Sequence, residues 1–152
     1  MLKYKGVFTG DELLPKDKVE ELLGFAVKNV GHPNNDGLGM LGVNYYNDDK
    51  EKSVWFVCYQ QPEVSPGSDF DVRKQYFENK ESCNKYDGVE PIEGLGEDAY
   101  HNKIDGGVCV LYKDYSFIVR DSLSKNTGEA RKDFKISLAQ IAQANLQEKL
   151  GG

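Results

Sequence analysis

The sequence predicts an α+β domain built on one antiparallel sheet, and three observations carry that reading. Short apolar runs bounded by turn-forming residues recur along the chain, as strands do. Two of them, Val108–Tyr112 and Tyr115–Asp121, are separated only by Lys113 and Asp114, which is hairpin spacing. Helical periodicity frames the strands in the order α-β-β-α-β-β-β-α, which asks for a curved antiparallel sheet with helices on one face.

The elements follow in order. Val19, Leu22, Leu23 and Ala26 recur at helical spacing, Pro15 suits a first turn and Gly24 a stop, so a helix is expected over 15–23. Residues 31–37 are dense in turn formers. A strand is expected over 38–46, with Leu41, Val43 and Tyr45 on one face, then a turn at 47–50. Ser53–Gln60 contains Val-Trp-Phe-Val-Cys-Tyr, apolar at both parities, which implies a central strand covered on both faces. After a loop at 62–67, Ser68 is a suitable N-cap for a second helix over 69–85. Its apolar face (Phe70, Val72, Tyr76, Phe77) is thin, so it is expected to lie half exposed. Short strands are expected at 89–92 and 97–102, then the hairpin. A polar stretch at 122–128 precedes a last helix over 129–150, striped by Phe134, Leu138, Ile141, Ala142 and Leu146. Gly37-Leu38-Gly39 and Gly94-Leu95-Gly96 each follow a helix and precede strands, which hints at two related halves.

Composition narrows the function. At 152 residues the chain suits one domain, 1–152. One Trp, nine Tyr and seven Phe argue against disorder. A net charge of -6 with no run of four basic residues disfavours a nucleic-acid partner. No apolar stretch has the length of a membrane span, so no transmembrane segment is expected in this chain. Cys58, Cys83 and Cys109 form no C-x-x-C pair, and their odd number permits at most one intramolecular disulfide. Free buried thiols are the first reading and one disulfide the second.

The chemical motifs are sparse. Gly94-Leu95-Gly96 lacks the strand-to-helix setting of a dinucleotide fingerprint and reads as turn glycines. Asn34-Asn35-Asp36 and Asn47-Asp48-Asp49 with Glu51 offer oxygen ligands without EF-hand spacing, so no metal is assigned. No cofactor motif is present. His101 with Glu97 or Asp98 could form an acid–base pair, the basis of an alternative reading as a small hydrolase with no oriented nucleophile. The aromatic residues on the first-half strands, Tyr45, Tyr46, Trp55, Phe56 and Tyr59, are the stronger candidates as a group, because half of them must face away from the helices.

Ile92-Glu93-Gly94-Leu95-Gly96-Glu97-Asp98-Ala99-Tyr100, the hairpin after it and the closing helix with Leu138-Ala139-Gln140-Ile141-Ala142 resemble an uncharacterised extracytoplasmic domain of bacterial and archaeal lipoproteins. The order of the two acids is swapped relative to that family's motif, and the first half matches only in layout. The resemblance implies a helix-and-sheet fold of TATA-binding-protein or photosystem-P-protein type and a secreted, membrane-tethered parent whose signal segment is not part of this chain. It implies no catalytic residues.

The expectation is therefore a non-catalytic, extracytoplasmic binding module. Its ligand-binding residues are Tyr45, Trp55 and Tyr59, and its partner is a protein or a small apolar ligand. The alternatives are the hydrolase and a cytosolic adaptor.

Overall fold

A computed structural model of the chain describes residues 6–47, 53–121 and 132–151. Among the described residues, eight strands form one open sheet, and every neighbouring pair is antiparallel. The strands are β1 (Asn29–Gly31), β2 (Asn34–Asn35), β3 (Met40–Tyr46), β4 (Ser53–Gln60), β5 (Val89–Pro91), β6 (Asp98–Asn102), β7 (Val108–Tyr112) and β8 (Tyr115–Asp121). The helices are α1 (Gly10–Leu13), α2 (Lys16–Leu23), α3 (Val72–Asn84) and α4 (Lys132–Lys149). Across the sheet the order is β1-β3-β4-β8-β7-β6-β5, with β2 also paired to β3. Strands from opposite halves of the chain thus meet at the centre, where Val57 faces Ile118 and Cys58 faces Phe117. The α+β class and the antiparallel sheet are as the sequence predicts.

Strand alternation builds the core. Val54, Phe56 and Cys58 of β4 are fully buried on one face, while Trp55, Val57 and Tyr59 point to the other. The first set joins Val43, Tyr45, Val110 and Phe117 under Leu138, Ala142 and Leu146 of α4. Leu13 of α1 and Val19 of α2 belong to the same core.

The expectation of helices on one face holds for α1, α2 and α4. α3 lies on the opposite face, where Tyr76 and Cys83 pack with Tyr100, Cys109 and Leu111 in a second cluster. The reason is in β7. Val108 and Val110 alternate with Cys109 and Leu111, all four are buried, and such a strand needs cover on both sides.

Side chains satisfy the irregular joints. Thr9 and Glu12 form a reciprocal capping box on α1, a four-residue helix the sequence reading did not foresee. The carbonyls at its other end accept from Asn145 Nδ2 and the Tyr45 hydroxyl. At the end of β4, Gln60 bonds both main-chain groups of Phe8, while Gln61 bonds Phe70 O and Val72 N. Two adjacent glutamines thereby fix the N-terminal segment and the start of α3. The N-cap of α3 is Asp71 rather than Ser68, whose hydroxyl instead donates to Gly37 O and accepts from Phe70 N. The predicted polar stretch at 122–128 and most of the predicted turn at 47–50 fall outside the described residues.

The two Gly-Leu-Gly tripeptides occupy like places. Gly39 and Gly96 both have φ +62° and stand just ahead of the first strand of a hairpin, β3–β4 and β6–β7. A Cβ on Gly39 would lie 2.3 Å from Gln60 O, and one on Gly96 would lie 2.5 Å from Leu111 O.

Candidate functional site

On the α3 face, residues paired across the strands form rows. The row Tyr100, Cys109, Ile118 and the row holding Ser116 and Tyr59 lie under α3 and the segment before it, around a cavity of about 20 Å³. No described helix residue lines the depressions beside the row Gly31, Asn44, Trp55, Arg120. Trp55 is 51% exposed at its middle.

Trp55 separates two depressions. One, about 330 Å³, is lined by Gly31, Asn44, Tyr46, Ser53 and Trp55. The other, about 180 Å³, is lined by Pro33, Asn44, Trp55, Val57, Ile118 and Arg120. The Asn44 carboxamide, the Tyr46 hydroxyl and the Trp55 indole N–H make no hydrogen bond to any of the described residues. Arg120 is the one charged residue among the described residues that line the two depressions, and its Nη2 donates to Asp105 Oδ2 at 2.7 Å. The face therefore offers an aromatic plane and unengaged neutral polar groups, with a cation that one Nη2 contact ties to Asp105 and whose Nε has no partner among the described residues.

No family model, curated protein or solved structure matches the chain. The chemistry of this face rests on its own residues.

The three residues expected to bind ligand do not converge. Trp55 stands on the open face. Tyr59 shares that face two positions along, but Phe70 packs against its ring at a centroid distance of 6.1 Å, and burial raises its hydroxyl pKa. Tyr45 is a correction. It is 1% exposed in the main core, its hydroxyl donates to Leu14 O at 2.7 Å, and burial pushes its pKa far up. The cause is register: Tyr45 pairs with Val54 and Asn44 with Trp55, so Tyr45 and Trp55 point to opposite faces. The expectation that β4 is covered on both faces fails at the same place, since half of its second face is open.

The residues of the hydrolase alternative are likewise apart. His101 is 2% exposed and, like Ala99, belongs to the α4 face. Its Nδ1 lies 3.2 Å from Glu90 Oε1, which also accepts from Lys132 Nζ. Asp98 is on the α3 face, accepting from the Tyr76 hydroxyl and Lys80 Nζ. Glu97 Oε2 accepts from Arg73 Nη1 and Lys113 N, and the Arg73 contact holds its pKa below the usual carboxylate value.

Cys58, Cys83 and Cys109 are all free and buried, and burial pushes the Cys109 thiol up to about 12. No group of three or more His, Cys, Asp or Glu able to hold a metal occurs among the described residues. Asp48, Asp49 and Glu51 of the candidate oxygen cluster fall outside them. No helix among the described residues is long and apolar enough to cross a membrane.

Asn44 and Arg120 escaped the sequence reading, whereas Tyr46 belonged to its aromatic group. Their signal was the alternation on β4: whatever pairs with Trp55 shares its face. Using it requires the β3–β4 register, which the apolar pattern alone leaves open.

Proposed function

We propose that the domain works by binding rather than catalysis, through the uncovered half of the α3 face around Trp55. The supporting observation is the half coverage itself. α3 shields the rows holding Tyr59 and Tyr100, while a tryptophan in the next row remains 51% exposed between two depressions. Half of a tryptophan's roughly 200 Å² left in water is worth on the order of 2–3 kcal/mol to whatever covers it. A hydrolase built on His101 has less support, because His101 lies beneath α4 while Asp98 is on the other face and Glu97 is held by Arg73. The extracytoplasmic, membrane-tethered setting is part of the same proposal and is supported by the resemblance of the Gly94 to Tyr100 segment. A coding sequence without an upstream secretory signal, together with protein recovered in the cytosol, favours the adaptor instead.

The test compares neighbours. Trp55→Ala is expected to leave the urea unfolding midpoint nearly unchanged and to abolish ligand-induced change at this face. Phe56→Ala, one residue away and fully buried, is expected to cost about 3–5 kcal/mol. Equal destabilisation by both, or ligand binding undisturbed by Trp55→Ala, removes the binding face.

A further inference from the structure

We propose that the face around Trp55 is a saccharide site that stacks a neutral sugar ring on the indole. This rests on the reading of that face as a binding surface and adds the chemistry of its ligand. A pyranose presents an apolar C–H face and a rim of hydroxyls that both donate and accept. The face supplies the matching parts. Trp55 is 51% exposed and supplies the indole. Asn44 supplies an amide donor and acceptor, Tyr46 a hydroxyl and Trp55 an N–H, and none is engaged with a described residue. Gly31 lines the depression with no side chain, leaving room beside the ring. The volume of about 330 Å³ falls in the range of small-molecule sites.

Charge and backbone count against the obvious competitors. A nucleotide also stacks on indole, but the described lining offers its phosphate one cation, Arg120, whose charge Asp105 already faces at 2.7 Å in a chain of net charge -6. An extended peptide adds to a sheet through main-chain hydrogen bonds. The floor here is β4 between β3 and β8, whose ladders use those groups. Among the described residues, what the depression beside Gly31 offers is neutral, side-chain borne and beside an aromatic plane.

Trp55 is the one tryptophan of the chain, so its emission reads the site directly. The full chain is titrated with cellobiose, maltose, lactose and chitobiose, and separately with AMP and an uncharged extended peptide, while acrylamide quenching reports the accessibility of Trp55. The expected result is a saturable emission change with at least one disaccharide. Asn44→Ala and Tyr46→Phe should each weaken it about 3–10-fold with the urea midpoint unchanged. No saturable response to any of the four sugars, or equal affinity in both variants, overturns the saccharide assignment. Saturation by AMP or the peptide in place of the sugars also overturns it, but leaves the binding face standing. A Trp55 that acrylamide cannot reach in the free protein overturns both.

Discussion

Tyr45 shows how much one side chain can do at a joint. Its ring fills the main core and its hydroxyl closes the C-terminal end of α1 through Leu14 O. Tyr45→Phe keeps the ring and strands that carbonyl, so a loss of about 1 kcal/mol is expected. Tyr45→Ala adds a cavity and is expected to cost about 3–5 kcal/mol. Urea unfolding of the two variants separates the hydroxyl from the ring. His101 carries the pH dependence. Burial lowers its pKa and outweighs the Glu90 contact, which raises it, while Lys135 and Lys132 add to the lowering. The folded state thus stays neutral where the unfolded chain takes up a proton. The contribution is intact above the unfolded value of about 6.5 and is lost as pH falls from there toward the folded value. Urea midpoints measured from about pH 8 to 5 should fall in that window for the natural chain, and less steeply for His101→Leu.

At the scale of elements, the Gly-Leu-Gly segment ahead of β6 divides into two different glycines. Gly94 has φ +76° with open space where a Cβ would go, whereas Gly96 combines φ +62° with a Cβ position 2.5 Å from Leu111 O. Gly94→Ala is expected to cost about 1–2 kcal/mol, the left-handed penalty alone. Gly96→Ala is expected to cost at least about 3 kcal/mol, because β6 and β7 must separate to admit it. Thermal unfolding of the pair checks the difference. The legibility of elements follows the same logic. β4, β7 and β8 were readable to the residue because apolar runs ended at turn formers, and α2 because Pro15 and Gly24 bracket it. α1 was unreadable, as four residues give no period. The start of α3 slipped because Ser68 and Asp71 are both competent caps, and the choice depends on Gln61 holding Val72 N. The candidate face was half legible: its tryptophan was visible in the sequence, its row partners were not. Periodicity tells which residues of one strand share a side, and register tells which residues of two strands do.

The whole molecule is one sheet with unequal cover. Three helices close the first face and α3 closes part of the second, so the site is defined by where α3 stops rather than by any motif. The outer edges are short: β5 has three residues including Pro91, which offers no N–H, and β1 has three. The inner edge behaves differently. β4 pairs with β8 along seven residues, Val54 to Gln60, and the chain from Gln61 to Asp114 lies between them. A chain ending at Pro91 retains the β3–β4 hairpin without that partner, and it is expected to show no cooperative thermal transition by circular dichroism. During synthesis the same condition holds for every molecule. β4 leaves the ribosome long before β8 exists, carrying Phe56 and Val54 on an unpaired edge. The hairpin that completes the protein is the last but one element to be made, so a pause in translation across α3 prolongs the exposure of its stickiest strand, and a chaperone that shields β4 would act in that interval.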